Sequence, residues 1–256
     1  MFKKMKLLIG FACLPLFGFA DNHASEGGNS FFNLQVQMCT LKDGVEMKDY
    51  DALINDFFKW SKKHDVEVTF VRQLPFLTHA TATNPYPYDF IEFLGTNHAN
   101  SGKGWDKWMS TKDGQKLNER WQSLAQCNVK MANVMRLYAD ANAMSTDNDR
   151  IAVWNWCTRK PGVTWDQLSA KHQSWLANSE DASNIAWFNV FPHMGSASAS
   201  GEFAHLVIYP NVEAMMKRTA GYVDGGWRVE DDYLTSYATC NGRSASIEQV
   251  LYRPTQ

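Results

Sequence analysis

The sequence predicts an α+β fold made of two tandem copies of one unit, ordered strand, helix, strand, strand, helix, strand. Three observations predict it. Self-matches run through the chain in order, at a nearly constant offset. Each half alternates stretches of period two and period 3.6 in the same order. The composition over 256 residues is 45% apolar, 20% charged and 13% aromatic, which is that of a folded globular protein and excludes disordered and collagen-like classes.

The strongest self-match aligns Met38-Cys39-Thr40-Leu41-Lys42-Asp43-Gly44-Val45 with Trp156-Cys157-Thr158-Arg159-Lys160-Pro161-Gly162-Val163, identical at five of eight positions and 118 residues apart. The apolar stripe that follows repeats at the same offset. Met47, Tyr50, Ile54, Phe57 and Phe58 correspond to Trp165, Leu168, His172, Trp175 and Leu176. Farther along, His79 matches His193 and Asn97 matches Asn211 at offset 114, and Cys127-Asn128 matches Cys240-Asn241 at offset 113. Short loop deletions account for the drift.

In the first copy the patterns predict strands over 33–41, 66–78, 90–95 and 127–137, with helices over 47–63 and 105–125. The second copy gives strands over 151–159, 185–192, 203–209 and 240–251. Its helices fall over 164–177, opened by a Thr164/Gln167 capping box, and over 212–238, broken at Gly225-Gly226. The copies span 31–138 and 150–256. The polar, periodless stretch 139–149 is the expected linker, and 21–30 an expected disordered tail.

Residues 1–20 read as a secretory signal peptide. Lys3, Lys4 and Lys6 precede a short apolar run that ends in Gly18-Phe19-Ala20. Its removal leaves 22 basic against 27 acidic residues and a net charge of −5, with no basic patch. The chain is therefore expected to be periplasmic or secreted, with no nucleic-acid partner and no membrane attachment after cleavage.

The unit order is ferredoxin-like. Two such units in tandem, over roughly 32–254, resemble the dimeric α+β barrel superfamily, which includes antibiotic-biosynthesis-monooxygenase-like and haem-degrading proteins. The resemblance implies two sheets closed into one pseudo-two-fold α+β barrel with helices outside. Both halves lie in one chain, so a monomer is expected. It also orders the cysteines. Four remain after cleavage, and an even number in an exported protein favours disulfides over free thiols. In the ferredoxin-like order the first and fourth strands are antiparallel neighbours, so Cys39–Cys127 and Cys157–Cys240 are the expected pairs. Their spacing, and that of the histidines, matches no metal site.

In a barrel, strand alternation divides side chains between helices and interior. With the more apolar set placed against the helices, Leu34, Val36, Met38, Trp154 and Trp156 are expected there. Gln35, Gln37, Cys39, Asn155 and Cys157 are then expected inside. Gln37 and Asn155 are repeat equivalents. Such amides either orient a ligand or are satisfied by backbone and water. His79 and His193 end equivalent strands, Trp187 and Asn189 share the strand face of His193, and His205 lies within an apolar strand. These seven residues, Gln37, Asn155, His79, His193, Trp187, Asn189 and His205, form the candidate ligand site. Most tryptophans fit helix stripes and are expected in the core.

Three functions are compatible with this pattern. The first is an exported barrel that binds a small apolar or aromatic molecule without a cofactor, and oxidises it if it resembles the monooxygenases in chemistry as well as fold. The second is a non-enzymatic exported module. The third is a haem barrel with His193 or His205 as axial ligand.

Overall fold

The computed structural model describes residues 31–79, 86–177 and 183–254. The expected leader and tail lie outside the described residues. The elements are β1 (Phe31–Leu41), α1 (Met47–Lys63), β2 (Thr69–Leu77), β3 (Phe90–Thr96), α2 (His98–Ser110), α3 (Lys112–Leu124), β4 (Ala125–Ala139), α4 (Ala141–Thr146), β5 (Asp149–Arg159), α5 (Trp165–Ala177), β6 (Ala186–Pro192), β7 (Phe203–Tyr209), α6 (Val212–Gly221), a π turn (Tyr222–Gly226), α7 (Trp227–Ser236) and β8 (Ala238–Tyr252). The fold is the expected α+β barrel. All eight strands pair antiparallel in the closed order β1-β3-β2-β8-β5-β7-β6-β4. The repeats join at two seams, β2–β8 and β4–β6. Closure leaves no free sheet edge.

The repeat motif explains itself locally. Gly44 and Gly162 hold φ of 77° and 84°, a left-handed conformation that suits glycine. In each turn the valine N–H donates to the lysine carbonyl three residues back, at 3.0 Å for Val45 to Lys42 and 3.1 Å for Val163 to Lys160. Thr164 and Gln167 exchange the expected capping-box bonds at 2.9 and 3.2 Å. The matched asparagines Asn97 and Asn211 cap equivalent helices, each accepting from a backbone N–H at 2.8 Å. The long helix expected over 105–125 is instead two helices. Thr111 turns extended and caps α3 with its hydroxyl.

Both disulfides form as expected, Cys39–Cys127 and Cys157–Cys240, between directly opposed residues whose Cα atoms are 4.1 and 4.0 Å apart. They close separations of 88 and 83 residues. Replacing both cysteines of one pair with alanine should cost about 2–5 kcal/mol in denaturant titration. A loss below about 1 kcal/mol would mean that strand pairing alone holds these ends. Disulfides fit an oxidising compartment. Among the described residues no helix is long and apolar enough to cross a membrane.

The expected assignment of strand faces is reversed. Leu34 and Trp154 pack inside the barrel with Phe93, Val134, Phe188 and Leu206, and Val36 and Trp156 pack against that cluster. Cys39 lies under α1 with Tyr50, Leu53 and Ile54, and Cys157 lies under α5 with Leu168. Gln35 and Gln37 also face α1. A closed barrel buries both faces of its sheet, so the more apolar set fills the interior. Amides and cystines sit under the helices, where helix side chains vary their surroundings.

Candidate functional site

Beneath the helices of the first repeat lies a cavity of about 90 Å³. Its floor is β1, which presents Gln35 and Gln37. These residues are two apart, so they share a face. One wall is aromatic: Phe57 stacks on Trp60 at 5.9 Å, and Trp60 meets Trp108 edge-on at 5.2 Å. Trp105 and Trp121 complete it. The roof is α2, none of whose residues is buried. Its first turn is tied down through Asn100, whose Nδ2 donates to the Glu67 carbonyl at 2.8 Å and to Thr96 Oγ1 at 2.9 Å.

The polar groups of this cavity are short of partners. Gln35 and Gln37 are only 8% and 9% exposed, and no hydrogen bond joins either side chain to a described residue. The indole N–H groups of Trp60 and Trp105 are buried without an acceptor among the described residues. Trp121 differs, since its Nε1 donates to Tyr50 Oη at 3.0 Å. Buried donors are nearly always satisfied, so the two amides and two indoles of this lining stand out as groups without a protein partner among the described residues. The lining contains no titratable side chain.

The same surface of the second repeat is filled instead. Trp187 Nε1 donates to His205 Nδ1 at 3.1 Å. His205 Nε2 and His172 Nε2 both lie 3.0 Å from Tyr233 Oη, and His172 Nδ1 lies 3.1 Å from the Asn189 amide. An indole N–H only donates, so His205 accepts at Nδ1 and carries its proton on Nε2. That proton goes to Tyr233 Oη. Asn189 Nδ2–H donates to His172 Nδ1, which leaves the proton of that neutral ring on Nε2, donated to Tyr233 Oη as well. Burial holds both rings neutral, lowering His172 to about 4 and His205 well below the ordinary 6.5.

Strand register shows what this cluster replaces. Gln37 pairs with Glu92 as Asn155 pairs with His205, and Arg72 pairs with Glu92 as Asn189 pairs with His205. The first repeat therefore holds an ion pair where the second holds neutral groups. Arg72 Nε and Nη2 donate to Glu92 Oε1 at 3.0 and 2.9 Å, and Tyr50 Oη donates to Oε2 at 2.8 Å.

The seven expected site residues thus separate into three groups. Gln37 lines the cavity. Trp187, Asn189 and His205 come together in the second repeat, and the buried Asn155 oxygen has no partner among the described residues. His79 and His193 are exposed at pseudo-symmetric strand ends. His79 Nε2 lies 3.1 Å from the Arg243 carbonyl, and His193 Nδ1 accepts from the Met194 N–H at 2.8 Å. Neither lines a cavity described here. Sequence reasoning missed Gln35 and the roles of Trp60, Trp105 and Trp108. Their helical spacing was visible, but core and cavity wall share that spacing. An axial haem ligand needs a free ring nitrogen facing open space. Both ring nitrogens of His205 are engaged, so as placed it does not fit that group; His193, the other expected axial candidate, is exposed and lines neither cavity.

No protein-family model matches the sequence, and no curated protein matches it. Solved structures do match in fold. One is a candidate monooxygenase from Fusobacterium nucleatum subsp. nucleatum, with TM-score 0.51 and 11% identity, covering 87% of this chain and 94% of that one. Another, from Lactobacillus acidophilus, is also a candidate monooxygenase, with TM-score 0.50, 11% identity and coverage of 86% and 93%. A candidate chlorite dismutase gives TM-score 0.51, 10% identity and coverage of 86% and 95%. These neighbours are dimeric α+β barrel proteins, and at such identities the likeness speaks for the fold alone.

Proposed function

We propose that this is an exported, monomeric protein that binds a small aromatic molecule in the helix–sheet cavity of its first repeat. The observation that carries the reading is the set of Gln35, Gln37, Trp60 and Trp105 groups, unpartnered among the described residues, around a mainly apolar space. At about 10–15 Å³ per water, the volume equals on the order of six waters, so one substituted ring suits it. Four donors and two amide oxygens favour a ring with hydroxyl or carbonyl substituents, a phenol or a quinone. The thinly buried α2 is the way in.

Binding, rather than acid–base chemistry, is the reading the lining supports, because it supplies no proton-transfer group. Oxidation of the bound ring is the alternative, supported by the fold shared with candidate monooxygenases. One experiment addresses both. The protein is purified from an exporting host and weighed under native, non-reducing conditions, before and after incubation with 4-methylphenol. The expected species is one chain without residues 1–20, with both disulfides, carrying one added 4-methylphenol. A gain of oxygen on that molecule would favour the oxidising reading. Changing Gln35 and Gln37 together to leucine should weaken binding at least about tenfold. The melting temperature should hold or rise, since two unpaired buried amides are removed. A double variant that binds as well as the parent would move the site elsewhere.

A further inference from the structure

The barrel interior holds a larger space, about 370 Å³, open at the end where β1 begins and β3 ends. This volume is in the range of small-molecule sites. Its walls are mostly apolar, with Phe32, Phe93, Phe188 and Leu206 prominent, and Met144 of α4 lies at its mouth. Its buried polar side chains, Gln73, Arg150 and Glu248, lie together on one side. Trp154 Nε1 donates to Gln73 Oε1 at 2.8 Å, Gln73 Nε2 donates to Glu248 Oε2 at 2.7 Å, and Arg150 Nη2 donates to Glu248 Oε1.

The fold does not require this polarity, and the duplication shows why. Glu248 lies opposite Arg150 on β5 and opposite Gln73 on β2. Val134 lies opposite Phe32 on β1 and opposite Val190 on β6. Phe32, Val134 and Val190 are therefore the pseudo-symmetric counterparts of Arg150, Glu248 and Gln73. One half of the barrel packs these positions with hydrocarbon, as buried ion pairs can often be replaced without loss. The other half keeps a charge pair whose side chains are each 4% exposed.

Arg150 is also under-used. A guanidinium has five N–H donors. Here one group meets Glu248, Nη1 meets the Met144 thioether at 3.2 Å, and the buried Nε–H meets no acceptor among the described residues. Glu248 already balances the charge and would repel a second anion.

We propose that the barrel interior is a second ligand site, for a neutral and mainly apolar carbonyl compound whose oxygen accepts from Arg150. It lies on the opposite face of the sheet from the helix–sheet cavity and stands or falls without it. The test uses 1-tetralone and tetralin, which share a bicyclic skeleton and differ by the carbonyl. Binding to the full mature protein is followed by the methyl resonance of Met144 in protein labelled with 13C at methionine methyls, assigned with Met144→Leu. No methionine lines the helix–sheet cavity, so this signal reports the barrel.

The expected result is a Met144 shift with tetralone, at an affinity about tenfold above that for tetralin, the worth of a hydrogen bond to a charged donor. In the double variant R150M/E248M both compounds should bind alike. Its melting temperature should stay near that of the parent, as the apolar half implies. Equal affinities in the parent protein, or no Met144 shift at saturating tetralone, would overturn the proposal. Should the double variant fail to fold, the comparison of the two probes on the parent protein decides alone.

Discussion

Replacing Arg72 with methionine costs about 3–5 kcal/mol of stability near pH 8, because it strands the Glu92 carboxylate in the core. Glu92 has no solvent exposure and Arg72 is 3% exposed. The arginine is further held by Asp51 at 2.6 Å and lies over the Tyr50 and Phe90 rings. Burial pushes the Glu92 carboxyl up, to about 7, against the pull of Arg72 and the Tyr50 hydroxyl. Without Arg72 it rises further. A native pKa above the unfolded value means that the folded state holds the proton more tightly. The part of the cost that comes from the charge is therefore absent at low pH, where both states are protonated, and grows as pH rises. Urea unfolding of parent and variant across pH should show a deficit about 1.4 kcal/mol larger near pH 8 than below about pH 6, because pH 8 lies one unit above the parent's Glu92 value of about 7. A deficit that ignores pH would assign the loss to packing of the arginine stem.

The second large effect has the opposite sign and belongs to the second repeat. His172 is fully buried, and its pKa falls from 6.5 to about 4 through desolvation. A depressed histidine pKa stabilises the fold above the unfolded value, and that stability is lost as pH falls through the folded value. Acidification from about pH 7 to 4 should thus remove about 3 kcal/mol through His172 alone. His205 acts in the same direction, lowered by burial first and then by His172 and the Arg243 charge. The Glu92 term opposes them over part of this range, so the measurement is a difference. The reference is His172→Ile, which installs the residue of the equivalent position, Ile54. The parent should lose about 3 kcal/mol more than this variant on acidification. Parallel pH profiles would show that His172 is charged in the fold or reached by water.

The candidate site was legible in parts. Gln37 was found through its repeat equivalence with Asn155, and it does line a cavity, on the side opposite to the one expected. Period-two alternation separates two sets of side chains but does not say which set meets helices, and a closed barrel buries both. The tryptophans of α2 and α3 were visible as a helix face. A helix face that packs on sheet and one that roofs a cavity have the same spacing. His172 was read as a packing residue on the α5 stripe. It is buried there, but it also joins two elements to which no sequence spacing links it, through Tyr233 and Asn189.

The sequence by itself determined the duplication, the order of the eight strands, the Thr164/Gln167 capping box and, through the strand order that the family resemblance implies, both disulfides. These depend on local conformational preference and on an offset counted along the chain. Tertiary structure alone decided which face of each strand turned inward. It also decided that one repeat carries Arg72 and Glu92 where the other carries Asn189 and His205, and that Arg150, Glu248 and Gln73 meet inside the barrel. Gln73 and Glu248 lie 175 residues apart along the chain and become neighbours only when the β2–β8 seam closes. Which polar groups lose their water, and which find partners, follows from that closure.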